Sequence, residues 1–402
     1  MSQKSFADLG LSQPVVGALA KNGMQSPFAI QALVIEDVLD GRDVLAKSPT
    51  GSGKTIAFGA PTVDQLDPKQ RGIAALVLAP TRELVSQIVE ELRPMAEARG
   101  IRVASVYGGV GFEKQIKNAR AAHMIVATPG RLEDLLARNA ISLSDVEILV
   151  LDEADRMLDM GFRPAVDRLV KRCPDDRQTL FFSATLDGEA GRIAAEYTYE
   201  AVTHEHRPTE ESRGEIEHRF RAVDRDSRLP ALVAELNDAE LALVFVRTKR
   251  GADRLVKRLE TQGIKAVAMH GNKSQNQRER ALAAFESGRV TTLVATDVAA
   301  RGIDVEGVSH VINFDAPDDR EGYVHRIGRT GRAGRTGIGI TFVEADQAKD
   351  VGRIAAALQL HGEFEGTGFA AASTARPHAT GGPARRNRRR RPARSNNNHA
   401  SR

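Results

Sequence analysis

The chain has 402 residues, 41% hydrophobic and 27% charged, with one cysteine and a formal net charge of +4, which leaves room for two globular domains and an appendage. No stretch nears the ~18 apolar residues of a membrane span. Met1-Ser2-Gln3-Lys4-Ser5-Phe6-Ala7-Asp8 lacks the apolar core of a secretory signal, and a lone Cys173 excludes an intramolecular disulfide, so a cytoplasmic protein with no membrane partner is expected.

Taken in chain order, short runs rich in Val, Ile, Leu and Ala fall at residues 73–79, 103–107, 123–127, 147–151 and 179–183, with helix-like stretches such as 82–99 and 131–138 between strands. The rhythm repeats at 242–246, 266–270, 291–295, 309–313 and 338–342. Such alternation predicts an α/β fold with parallel sheets covered by helices, and two sheets of about five to seven strands suit the length better than one of ten. The sequence turns polar over residues 201–214, which reads as a linker. The expected division is a lead-in over 1–32, a first domain over 33–205, a linker at 206–214 and a second domain over 215–361. From about residue 362 Gly, Ala, Thr and Pro take over, so 362–402 is expected to be a disordered tail. Nine of the 57 Lys and Arg lie in 376–402, which has no acid; the rest of the chain carries 48 basic against 53 acidic side chains. The body is thus mildly acidic, and the tail confines a sequence-blind phosphate-binding charge to one end.

Two signals carry chemistry in the first half. Ser48-Pro49-Thr50-Gly51-Ser52-Gly53-Lys54-Thr55 suits backbone N–H groups wrapped around phosphate, a lysine on the β/γ oxygens and a hydroxyl on Mg²⁺, although Ser48 stands where the strict P-loop pattern has its first Gly. Asp152-Glu153-Ala154-Asp155 follows an apolar strand; Asp152 would hold Mg²⁺ through water and Glu153 would orient or deprotonate an attacking water. In order, these predict a nucleoside triphosphatase. Arg82 and Arg131 each stand near a predicted helix start, against the helix dipole, a cost that a polyanion would offset. In the second half Arg326, Arg329 and Arg332 recur at three-residue spacing, which predicts one shared helical or 3₁₀ face. That face calls for an anion: a triphosphate presented by the other domain, or RNA.

These residues, in this order, resemble the DEAD-box family of RNA helicases, from Phe6 to about Gly337. Gly23-Met24-Gln25-Ser26-Pro27-Phe28-Ala29-Ile30-Gln31 is similar to the adenine-reading Q motif, 48–55 to motif I, and Asp152-Glu153-Ala154-Asp155 to the namesake motif. Pro80-Thr81-Arg82-Glu83, Gly108-Gly109 and Thr128-Pro129-Gly130-Arg131 resemble RNA-contacting motifs, and Ser183-Ala184-Thr185 resembles motif III. The second-domain motifs are matched by Thr248, by Gln275-Asn276-Gln277-Arg278, by residues 296–304 and by 325–332. The compact core and basic tail look most like the short bacterial RhlE-like branch.

The resemblance implies two tandem RecA-like domains that close over ATP, Mg²⁺ and single-stranded RNA. Gln31 would read the adenine edge with Phe6 near the base; Ser48, Pro49, Thr50, Gly51, Ser52, Gly53, Lys54 and Thr55 would hold the phosphates. Thr55 and Asp152 would hold the metal, while Ser183 and Thr185 would couple hydrolysis to closure. Asp304 would reach the ribose, His325 would link the nucleotide to the domain interface, and Arg329 and Arg332 would act as arginine fingers. Pro80, Thr81, Arg82, Gly109, Thr128, Gly130, Arg131, Thr248, Arg278 and Thr296 would touch the RNA backbone. Three departures stand out: Met24 replaces the usual aromatic, Phe28 a usual Thr, and Ser48-Pro49 the usual Ala-Gln. The implied activity is RNA-stimulated ATP hydrolysis that unwinds short duplexes or remodels RNA–protein complexes, in ribosome assembly or RNA turnover. The alternative is an ATP-gated RNA clamp with little unwinding.

Overall fold

The structure, a computed structural model, describes residues 4–49, 51–186, 188–206, 215–300, 305, 307–331 and 335–369. The first seven strands are β1 (Val44–Lys47), β2 (Ala75–Leu78), β3 (Val103–Val106), β4 (Met124–Ala127), β5 (Ile148–Leu151), β6 (Gln178–Ser183) and β7 (Val202–Glu205). They form one sheet in the order β3-β4-β2-β5-β6-β1-β7. The next six, β8 (Ile216–Ala222), β9 (Ala242–Phe245), β10 (Ala266–Met269), β11 (Thr292–Ala295), β12 (His310–Asn313) and β13 (Gly337–Val343), form a second in the order β10-β11-β9-β12-β13-β8. Each ladder in both sheets is parallel. This is the two-sheet α/β architecture expected from the alternation.

Every residue of β2, β4, β5 and β6 is buried, because helices cover both faces of the sheet; this is why those strands read as unbroken apolar runs. Successive side chains still diverge. Leu180 and Phe182 enter one core layer and Phe181 the other, with Phe182 meeting Phe58 edge-on at 5.2 Å.

Two expectations are corrected. Residues 202–205, placed by the polar stretch in a linker, are the edge strand β7, paired with β1 from Val44↔Val202 to Lys47↔Glu205. An edge strand with one wet face alternates half-buried and exposed positions, so it carries no apolar run to betray it. Regular structure also continues past residue 362: the helix His361–Glu365 seats Phe364, fully buried, edge-on to Phe220 at 5.5 Å. No helix among the described residues is long and apolar enough to cross a membrane.

The register aligns strand ends: Lys47 lies opposite Ser183, Leu151 opposite Phe181 and Leu78 opposite Leu151. The chain therefore leaves β1, β2, β5 and β6 along one edge of the first sheet, where ligands of open parallel sheets bind. That edge meets the second unit, where Arg278 Nη2 lies 2.8 Å from Glu83 Oε2.

Candidate active site

The loop after β1 is built for close backbone approach. Gly51 and Gly53 have φ of +79° and +86°, a left-handed region that glycine enters without strain, and a Cβ at Gly53 would lie 2.5 Å from Gln31 Nε2. Ser48 anchors the loop, its N–H donating to Ser183 O at 3.0 Å and its Oγ to Ser52 Oγ at 2.6 Å; Ser52 Oγ in turn donates to Pro49 O at 2.8 Å. Lys54 and Thr55 then open the helix Lys54–Gln65, which has no acid in its first turn. Its unpaired N–H groups and dipole present positive charge to an anion. Lys54 is buried, with Nζ donating to Ser48 O at 3.2 Å. Thr50 lies outside the described residues.

Gln31, in the first turn of the helix Ala29–Leu39, bridges that helix to the loop: Oε1 accepts from Phe28 N at 2.8 Å and Nε2 donates to Gly53 O at 3.0 Å. Phe6, only 2% exposed, as Gln31 also is, belongs to the apolar core, its hydrophobic bulk having been drawn inward.

At the end of β5, Asp152 is 2% exposed and accepts from Glu153 N at 2.9 Å through Oδ1. Burial pushes its carboxyl up to about 6 against the pull of Lys54. Glu153 caps the helix Ala154–Asp159 with φ 48° and ψ 49°, a left-handed conformation costing a non-glycine residue about 1–3 kcal/mol. Its Oε2 is buried without a hydrogen bond, 3.9 Å from Arg156 Nε. Strain and an unsatisfied carboxylate oxygen together mark a functional position rather than a helix start. Asp155, which the sequence reading assigned no role, joins β5 to β6: Oδ2 accepts from Ala184 N and Thr185 N, both at 3.1 Å. Ser183 Oγ donates to Thr185 O at 2.5 Å. The signal for Asp155 was its place in the acidic tetrad.

The second sheet brings up the helix Arg320–Ile327. The helix ends at Ile327 and the chain runs on in tight turns, Arg329 N donating to Arg326 O at 3.1 Å and Thr330 N to Ile327 O at 3.0 Å, which gives Arg326 and Arg329 different surroundings. Arg326 turns inward as a brace, its Nε and Nη2 on the two Asp297 oxygens at 2.5 and 2.7 Å and Nη1 on Asp315 O at 2.7 Å. Arg329 follows the helix end, 5% exposed, with Nε donating to His325 O at 3.3 Å. His325 is held below its usual pKa by burial, then by the nearby Arg156, with Asp155 opposing. Residues of the first unit thus bear on its charge. A cleft lined by Arg156, Phe245, Asp297, His325, Arg326 and Arg329 lies at this meeting. Asp304 and Arg332 lie outside the described residues.

The first unit's candidate RNA residues gather at the other half of the edge, beyond β2, β3 and β4, while Thr248, Arg278 and Thr296 belong to the second unit. Pro80 and Thr81 are buried, and Thr81 Oγ1 accepts from Leu84 N at 3.2 Å as the cap of the helix Arg82–Arg99. Arg82 lies over the glycine pair; a Cβ at Gly109 would meet its Nη1 at 2.2 Å. Thr128 precedes the helix Pro129–Ala137, with Gly130 exposed in its first turn. Thr248, exposed, accepts from Gly251 N at 2.9 Å, and Thr296 is 7% exposed beyond β11. Two of the candidate arginines have protein partners. Arg131 Nη1 donates to Val110 O and Gln115 Oε1, both at 2.9 Å, and its guanidinium stacks 4.1 Å from the Phe112 ring centroid, so protein acceptors meet its charge. Arg278, 8% exposed, is spent on Glu83 between the two units. Sequence reasoning gave Glu83 no role of its own, because a partner more than a hundred residues away, Arg278, leaves no local pattern.

Comparison with known proteins accords with this geometry. The DEAD/DEAH box helicase family matches residues 28–193 and the helicase conserved C-terminal domain residues 224–334. The ATP-dependent RNA helicase CshA of Limosilactobacillus reuteri is 41% identical over 345 residues, covering 85% of this chain and 69% of the relative. The DEAD-box ATP-dependent RNA helicase CshA of Geobacillus kaustophilus is 43% identical over 342 residues, covering 84% and 73%. Among solved structures, S. cerevisiae Dbp5 bound to RNA and ADP BeF3 superposes with a TM-score of 0.80 at 32% identity, covering 90% of this chain and 94% of that one. A DEAD box protein from Methanococcus jannaschii gives 0.53 at 36% identity, covering 89% and 97%. With two-thirds or more of each of the two CshA relatives spanned at over 40% identity, the chain belongs to the DEAD-box ATP-dependent RNA helicases.

Proposed function

We propose that this chain hydrolyses ATP in an RNA-stimulated cycle that separates short RNA duplexes or remodels RNA–protein complexes, through two RecA-like domains, one over residues 33–205 and one from 215 through the helix His361–Glu365. The observation that carries the reading is the split of the sheet edge. The ends of β1, β5 and β6 hold Lys54, Asp152, Glu153 and Ser183, while β2, β3 and β4 end in Thr81, Arg82, Gly109 and Thr128. One rigid sheet thus holds a nucleotide at one half of its edge and an RNA backbone at the other, and the second sheet closes over both.

In this reading the loop N–H groups and Lys54 bind the β- and γ-phosphates. Gln31 keeps one acceptor lone pair and one N–H beyond the bonds described above, which complement the N6 amino group and N7 of adenine but not the two acceptors of guanine. Glu153 orients the attacking water and takes its proton. Arg329, carried in by the second unit, stabilises charge on the transferring phosphoryl group, so hydrolysis waits for closure. Asp155 relays the state of the β5 end to Ser183 and Thr185.

The residues fit Mg²⁺. Among the described residues no group of three or more His, Cys, Asp or Glu forms a metal cage; Mg²⁺ prefers one or two protein oxygens with phosphate and water completing an octahedron. Thr55 and Asp152 would hold it, the buried Asp152 carboxylate gaining the counter-charge it lacks. When bound, the ion supplies neutralisation of phosphate charge.

RNA held by its sugar-phosphate backbone is read with little sequence preference, and ATP favours the closed state by population shift. The basic segment 376–402 would add non-specific affinity by tethering. A single reducing-compartment cysteine suits a cytoplasmic setting. The test is ATPase rate with and without single-stranded RNA, with DNA as control, alongside strand separation of a short RNA duplex. Stimulation by RNA with release of the strand is expected; hydrolysis at full speed without polynucleotide overturns the reading, and closure on RNA without strand release makes the protein a clamp.

A further inference from the structure

Phe28 is the one exposed phenylalanine among the described residues, 62% accessible, while the rest are buried or half-buried. It occupies the N-cap of the helix Ala29–Leu39 with φ −69° and ψ 163°, and makes no side-chain cap bond. Ser, Thr, Asp or Asn at this position would satisfy one of the helix's unpaired N–H groups. The chain forgoes that bond and places an apolar ring in water, and such a breach of local preference without structural return belongs to functional sites. The ring lies against the phosphate loop: a Cβ at Gly53 would stand 2.7 Å from Phe28 Cδ2. Its backbone N–H holds Gln31 Oε1 at 2.8 Å. No other aromatic of this segment is exposed, since Phe6 is buried in the core, and at position 24, a usual aromatic, stands a methionine packed against that core.

We propose that the Phe28 ring stacks on the base of the bound nucleoside triphosphate, an inference that rests on the ATP-site reading above. Base recognition in this chain is then divided between two neighbours. Phe28 gives affinity through a π-face that any purine satisfies, and Gln31 gives discrimination through its amide edge. The uncapped helix start is the structural cost of placing an aromatic ring at position 28.

The test titrates ADP, GDP and inorganic tripolyphosphate by calorimetry into the full chain and its Phe28→Thr, Phe28→Leu and Phe28→Tyr variants, with thermal melts of each. Phe28→Thr should weaken ADP and GDP by a similar factor, roughly 5- to 100-fold, leave tripolyphosphate unchanged and raise Tm by restoring the cap. Phe28→Tyr should bind as the parent does and Phe28→Leu as poorly as Phe28→Thr. Parental ADP affinity in Phe28→Thr or Phe28→Leu overturns the stacking role, as does an equal loss for tripolyphosphate or a lower Tm in Phe28→Thr. Failure of the parent protein to bind ADP sinks the ATP-site reading itself, whereas tight binding indifferent to residue 28 sinks this inference alone.

Discussion

Glu83 Oε2 and Arg278 Nη2 meet at 2.8 Å, with side chains only 4% and 9% exposed, although one belongs to the first sheet's flank and the other to the second's. Burial raises the Glu83 carboxyl above its usual range and Arg278 partly reverses this. Truncating one partner of a buried, hydrogen-bonded charge pair costs about 2–5 kcal/mol, much of it from the charge left behind. Here the two units can part and return that charge to water. Arg278→Ala should therefore weaken RNA-stimulated ATPase by roughly 30-fold or more through the closing equilibrium, with little change in Tm. The double variant Glu83→Ala/Arg278→Ala should be less impaired than Arg278→Ala, because no orphan carboxylate remains. A cycle showing simple additivity would mean the pair contributes nothing to closure.

Glu153 is strained as well as unsatisfied, with φ 48° and a buried Oε2 lacking a hydrogen bond. Loss of a positioned general base lowers turnover about 10²–10⁴-fold. Glu153→Gln should show that loss in kcat while keeping ATP and RNA bound. Glu153→Gly removes the same base but adopts the left-handed backbone freely, so it should be equally inactive and yet more stable by about 1 kcal/mol, read as a higher Tm. Stopped-flow hydrolysis and calorimetric melts separate the two effects; a Glu153→Gly protein that melts lower than its parent would show that the backbone there carries no strain.

The central strands and the phosphate chemistry were legible because both leave local marks. β5, buried throughout, writes its own apolar run, and Gly51, Gly53, Lys54 and Thr55 are adjacent letters. What depends on the other unit was not. Arg326 and Arg329 look equivalent at three-residue spacing, but only the end of the helix at Ile327 and the distant Asp297 make one a brace and leave the other beyond the helix. β7 failed to announce itself because an edge strand needs apolar residues at alternate positions only. The core placement of Phe6 was not legible because an aromatic ring suits a core as well as a base, and sequence alone does not say which environment claims it.

Residues 376–402 hold nine arginines and no acid, so their contribution to RNA binding should be electrostatic and readable from salt. Each single-strand phosphate neutralised adds about 0.7 to the slope of log K against log salt. Deleting the segment should lower affinity for single-stranded RNA and reduce the slope by up to about 6, with the maximal RNA-stimulated kcat retained. Filter binding between low and high potassium chloride measures it; an unchanged slope denies the segment a role as an RNA arm.

Asp152 ties stability to function through its proton. Its carboxyl is pushed from 3.8 to about 6, chiefly by burial, with Lys54 opposing. A folded-state pKa above the unfolded value means that the ligand-free fold binds this proton more tightly than the unfolded chain does. The stabilising term is fully present below about pH 4 and disappears as pH rises through about 6; its full size is about 3 kcal/mol at 1.36 kcal/mol per pKa unit. At pH 7 the ionised carboxylate is thus a burden that an uncharged isostere lacks. Asp152→Asn should be more stable than the parent at pH 7 by up to that amount, with the difference vanishing near pH 4, and should have no ATPase activity at any pH. Adding ATP and Mg²⁺ should raise the melting temperature of the parent at pH 7 more than that of Asp152→Asn, because only the parent has a carboxylate waiting for a counter-charge. Parallel melting curves for the two proteins from pH 4 to pH 8 would show instead that Asp152 is ionised without penalty, and that its burial serves packing rather than the nucleotide.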